Sequence, residues 1–237
     1  MKDRKVLDQL WRGFFLLFTT CAILLPFGGQ VIVSASAGAD FGQPLQRDRT
    51  DRVIKNTKGV VVLGQYQKSD FVRFYNRDGT LWYEFSYFYD DANGKFEYAN
   101  HDFRPFAFHQ DHFLLVLKCT DINEKFFEVI VNEETGLRKY VKANDPVFKF
   151  ETWQRLVLST FAVNFETKTN PVLEAPAGQT REDFWGKDIT LRPIEIRGDW
   201  LRIEWQTTPR STNNNNATGW VRWKQDGNLL IELYFFA

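Results

Sequence analysis

The sequence predicts a mainly β fold of two small antiparallel β units joined by one short helix. Three observations carry this. Aromatic residues make up 16% of the chain, with 23 Phe, 8 Trp and 8 Tyr, and such rings pack best on a pleated, half-buried surface. Apolar and polar residues alternate with period two in most segments, and turns rich in Asn, Asp and Gly separate the runs. The period changes to a helical one near residue 149.

Residues 1–39 are expected to be an export signal and are set apart from the fold. Lys2, Arg4, Lys5 and Arg12 give a basic start, diluted by Asp3 and Asp8, and an apolar run follows from Phe14 to Leu25. Small residues at Ala35 and Ala37, or at Ala37 and Ala39, suit signal peptidase. The rival reading is a retained anchor, since Gly13 to Val33 spans 21 residues. Pro26, Gly28, Gly29 and Gln30 oppose a permanent helix there. Cleavage removes four basic and two acidic residues from 30 of each, which leaves a charge of −2. It also removes Cys21, so Cys119 stands alone and no intrachain disulfide can form. Residues 40–57 are polar and without period, and read as a leader or linker.

The first β unit is placed at 58–148. "GVVVLGQY" (59–66) is β-branched, and "FVRFYN" (71–76) alternates. The turn Asn76 to Gly79 needs a left-handed residue that Gly79 can supply. In "TLWYEFSYFYD" (80–90), Leu81, Tyr83, Phe85, Tyr87 and Tyr89 share one face; Asn93-Gly94 then turns the chain again. Strands follow at 112–119, 125–132 and 137–143, with turns at Asp121 to Glu124 and Asn132 to Gly136.

Phe150, Trp153, Leu156 and Val157 recur at helical spacing, so a connecting helix is placed at 149–161. The second β unit occupies 162–237, with Pro171 and Pro176 marking edges and turns. A tight turn at Arg197-Gly198-Asp199 leads into a strand with Leu201, Ile203 and Trp205 on one face and Trp200, Arg202 and Glu204 on the other. "STNNNNA" is a polar loop, after which "GWVRW" and "NLLIELYF" complete a sheet.

"NPVLEAPAG", "LRPIEIRGDWLRIEW" and "GWVRW", in that order, resemble the bacterial SH3-like domain over residues 162–237. Gly-Asp-Trp alone is a weak signal, and Gly-Asp-Trp followed by Gly-Trp-Val is a better one. The resemblance implies that the C-terminal unit is an SH3-like barrel, sealed by large aromatics. "FFEVIVNEETGLRKYVKAND" (126–145) echoes the same pattern, which makes 104–145 a candidate for a divergent second unit. The alternative there is an unrelated β sandwich or meander.

Zero net charge offers no basic field for nucleic acid. There is no Gly-rich phosphate loop, no G-x-S-x-G and no Cys-x-x-Cys. His109 and Asp111 share one face of an extended segment and His112 the other, so "HQDHF" does not converge on a metal ion. No metal and no cofactor is expected. Cys119 within "HFLLVLKC" reads as a small buried hydrophobe, with no base beside it. The remaining candidates are Trp185, Trp200, Trp220 and Trp223, which either seal the core or line an aromatic groove.

The expectation is an exported, non-catalytic binding module, periplasmic or attached to the cell envelope, with no membrane span once the signal is removed. The resemblance implies cell-wall glycan or peptide, or an envelope protein, as partner. The alternative is an envelope hydrolase with its site in the N-terminal unit and the SH3-like domain as its targeting module.

Overall fold

In the computed structural model, residues 52–67, 70–87, 100–184, 189–206 and 216–236 are described. The expected export signal, the turn at Asn93-Gly94 and Trp185 lie outside them. The described strands are β1 (Gly59–Leu63), β2 (Val72–Tyr75), β3 (Leu81–Phe85), β4 (Ala107–His109), β5 (Leu114–Ile122), β6 (Phe126–Asn132), β7 (Leu137–Lys142) and β8 (Phe148–Glu151). Helix α1 (Trp153–Ser159) follows, then β9 (Ala162–Asn164), β10 (Arg192–Arg197), β11 (Trp200–Gln206), β12 (Asn216–Arg222), β13 (Lys224–Gln225), β14 (Asn228–Leu229) and β15 (Glu232–Tyr234). The chain is mainly β, and its sheets are antiparallel.

The first eight strands form one sheet in the order β3-β2-β7-β6-β5-β1-β8. Val116 of β5 pairs with Val62 on one side and Ala107 on the other, so β4 lies beyond the end of β6 along the same edge of β5. Gly79 takes the left-handed conformation that its hairpin requires, at φ 85°. Both faces of the sheet are buried at its centre, which explains the unbroken apolar run in β1. Val61, Leu115, Leu117 and Cys119 face a core that Phe74, Phe85 and Tyr87 close. Their neighbours Val60 and Val116 point the opposite way, into a second core with α1 and the C-terminal strands.

The helix is shorter than its spacing predicts. Residues 149–151 belong to β8, which pairs with β1 from Val60↔Glu151 to Leu63↔Phe148. Phe150 satisfies period two with Phe148 as well as the helical spacing with Trp153, and pairing along the edge of β1 decides between them. The helix starts only after Thr152, whose Oγ1 accepts a hydrogen bond from the Arg155 N–H at 3.2 Å. Stretch 104–145, the candidate second unit, supplies β4 to β7 of the large sheet.

The C-terminal strands form a three-stranded sheet β10-β11-β12 and two short ladders, β13-β14 and β15-β9. Single bridges at Val163↔Leu191 and Leu173↔Trp220 link further segments to them. Among the described residues these ladders do not close into a barrel. Pro193 has no N–H to donate, and a bulge between Pro193 and Glu195 interrupts the ladder of β10 with β11. The run 228–235, expected as one strand, is split into β14 and β15. Residues 52–57, the end of the expected leader, are tied to the C-terminal strands. Ile54 and Lys55 donate their N–H groups to the Gly227 carbonyl at 2.8 and 2.9 Å, and Arg52 pairs with Glu232 at 2.7 Å.

Candidate functional site

Alternation along β11 sends its side chains to two environments. Leu201, Ile203 and Trp205 are buried, while Trp200, Arg202 and Glu204 on the other face are half-buried. The register with β10 and β12 sets three rows across that outer face. They are Arg197–Trp200–Arg222, Glu195–Arg202–Trp220 and Arg192–Glu204–Thr218.

The rows have a simple origin. Trp200-Leu201-Arg202 and Trp220-Val221-Arg222 are both Trp-x-Arg, and both strands lie in one antiparallel ladder. Each tryptophan therefore stands opposite the other strand's arginine. The Arg222 guanidinium lies over the Trp200 ring, 4.7 Å from its centroid, and Arg197 lies over Trp220 at 4.9 Å. Glu195 accepts a hydrogen bond from Arg197 Nε at 2.6 Å and stands 3.6 Å from Arg202, which also donates to Thr218 Oγ1 at 3.0 Å. Arg222 forms no ion pair among the described residues. Its backbone is held instead. The buried Asn170 amide donates to the Arg222 carbonyl at 2.8 Å and accepts from the Arg222 N–H at 3.1 Å. The end of this face, at Arg192 and Glu204, borders a cleft of about 300 Å³.

Of the four candidate tryptophans, the structure brings Trp200 and Trp220 together on this face. Trp220 is itself buried, at 6% exposure, and its backbone is paired with Leu173 on the far side. Trp223 faces the interior with no exposed surface, and its indole Nε1 donates to the Gly198 carbonyl at 3.0 Å. It packs the core. Trp185 lies outside the described residues. Reasoning from tryptophan alone missed Arg197, Arg202, Arg222 and Asn170. The repeated Trp-x-Arg was visible in the chain, but its meaning depends on the register.

Elsewhere, Cys119 is buried, and burial pushes its thiol up to about 12. Its Sγ donates to the Asp121 carbonyl at 3.3 Å, so at neutral pH it is a thiol and a poor nucleophile. His109 and His112 stand ring against ring at 4.7 Å, and Phe236 stacks on His112 at 4.0 Å. These histidines hold the end of the chain against the large sheet. Among the described residues no three His, Cys, Asp or Glu side chains converge as a metal site, and no helix is long and apolar enough to cross a membrane. The chain matches no protein-family model, and comparison with curated proteins and with solved structures likewise gives no match.

Proposed function

We propose that this chain is an exported, non-catalytic binding module of the bacterial cell envelope, and that the outer face of β10-β11-β12 is its binding surface. The observation that carries this reading is the pair of crossed Trp–Arg contacts on that face. A sheet face that only needed solvation would be served by small polar side chains. Here the half-exposed Trp200 indole stands on the outer side, with the buried Trp220 on the same face, while the inner side already holds Leu201, Ile203, Val221, Trp205 and Trp223. Aromatic and arginine side chains are the types that anchor ligands most often. The order of Gly-Asp-Trp and Gly-Trp-Val supports an SH3-like descent for the same strands, and the basic, apolar and small-residue series of residues 1–39 supports export.

The test has two arms. Cell fractionation with sequencing of the mature N-terminus is expected to find the chain outside the cytosol, beginning near Gly38 or Asp40. Full-length protein in the cytosol overturns export. The recovered chain is then incubated with purified cell-wall sacculi and with an envelope extract. Capture that Trp200→Ala abolishes supports the surface assigned here, and equal capture by wild type and variant removes it.

A further inference from the structure

We infer that the outer face of β10-β11-β12 recognises a carboxylate-bearing glycan, with Arg222 as the carboxylate receptor and Trp200 as the platform beside it. This inference rests on the reading of that face as a binding surface and adds the chemistry of what binds there.

Charge comes first. The three rows carry Arg192, Arg197, Arg202 and Arg222 against Glu195 and Glu204, in a chain whose net charge is zero. Positive charge is thus gathered on one small face. Part of it is used internally: Glu195 holds both Arg197 and Arg202. Arg222, like Arg192 at the far end of the face, enters no ion pair among the described residues. Its guanidinium has the Trp200 ring for a neighbour, and no carboxylate of the described residues lies within ion-pair distance.

Geometry makes that charge specific. An arginine stacked on an indole keeps its planar N–H edge free for a two-pronged contact, which suits a carboxylate. The Asn170 amide grips both backbone groups of Arg222, and the stacked ring limits how far its side chain can swing. Less freedom is therefore lost when a ligand docks. Trp200 is half-buried, so the part of its indole that Arg222 does not cover offers apolar surface beside the charge. A ligand with an apolar C–H face and a carboxylate on one repeating unit matches both. An acidic sugar has that form. An acidic peptide offers the carboxylate without the ring, and a neutral glycan offers the ring without the charge.

Binding of the chain, as recovered from cells, is measured by calorimetry against polygalacturonate, dextran and polyglutamate. Binding to polygalacturonate is expected, weakening as salt rises, with dextran and polyglutamate much weaker. Arg222→Gln is expected to reduce polygalacturonate affinity by about tenfold or more, since a charge-assisted contact is lost. Arg222→Lys keeps the charge without the fork and reduces it by a smaller factor. Arg138→Gln, on the large sheet, leaves it unchanged. Thermal melts establish that each variant is folded; if Arg222→Gln is not, Arg222→Lys and the salt series carry the test. Preference for polyglutamate, equal binding of dextran, or wild-type affinity in both Arg222 variants overturns the inference. If sacculi are still captured through Trp200 while polygalacturonate is not bound, the surface stands and only its ligand class is wrong. If neither is bound, both readings fall.

Discussion

Gly219 lies in the middle of β12, at the start of its Gly-Trp-Val motif, and the structure explains why a glycine is needed there. It pairs with Ile203 across the ladder, while the segment at Val172 and Leu173 crosses close above it. A Cβ placed on Gly219 would lie 2.3 Å from Val172 Cγ1 and 3.2 Å from the Leu173 carbonyl oxygen. Ordinary carbon contacts lie at about 3.5–4 Å, so Val172 would have to retreat by more than an ångström. It has little room to do so. Val172 is β-branched, stiff at χ1 and 2% exposed, and its neighbour Leu173 exchanges two hydrogen bonds with Trp220, each 2.8 Å. Gly219→Ala is therefore expected to cost about 1–3 kcal/mol as overpacking. In a folded body of this size that lowers the melting temperature by roughly 2–12 °C. Circular dichroism melts read the shift, and Val172→Ala in the same chain tests its cause. The double variant should lose less than the sum of the two single changes, because the smaller residue frees the space. A Gly219→Ala melt within a degree of wild type, or strict additivity in the double variant, would refute the close-approach argument.

Two further outcomes follow from burial. Ile203 is fully buried, so Ile203→Ala should cost about 2–5 kcal/mol, whereas Trp200→Ala, which gives up a half-exposed stacking contact of about 0.5–1 kcal/mol, should keep most of the stability. Melts that fall equally for both would make Trp200 a structural residue and remove it from the binding face. Cys119, with its thiol pushed up to about 12, should resist alkylation at pH 8 in the folded chain and react only when denaturant exposes it. Rapid labelling of the native protein would contradict its burial.

What was legible in the sequence was local. The inward set Leu201, Ile203 and Trp205, the hairpin at Asn76 to Gly79 and the turn at Arg197 to Asp199 each follow from period two and a turn residue, and each is where the alternation places it. Phe150 was misread because one residue can satisfy two periods, and only the edge of β1 settles which applies. The candidate site was half legible. Trp200 and Trp220 could be named from the chain, but Trp223 differs from them only by falling one residue out of phase with Trp220. The strand breaks there, and the indole turns inward to the Gly198 carbonyl. The grip of Asn170 on Arg222 and the seat of Phe236 on His112 join residues far apart in sequence, and no local pattern announces them.

That the described C-terminal ladders do not close into a barrel has a structural explanation. A small β unit standing alone must close on itself, because its inner residues have nothing else to cover them. Here Leu201, Ile203, Trp205, Val221 and Trp223 share a single core with Val60 and Val116 of the large sheet and with Trp153, Leu156 and Val157 of α1. Phe106 meets the Trp153 ring at 5.4 Å within it, and the Trp153 indole donates to Thr57 Oγ1 at 2.8 Å, joining the segment before β1 to the helix. The large sheet and the helix thus provide the cover that barrel closure would otherwise supply. The inner residues of β11 and β12 are covered from beneath, while on the outer side Trp200, Arg202 and Glu204 of β11 stay half-buried and Trp220 is buried. On the outer side Arg222 of β12 lies over Trp200 of the adjacent β11, and Arg197 of β10 reaches past β11 to lie over Trp220, so these contacts tie all three strands together across the face.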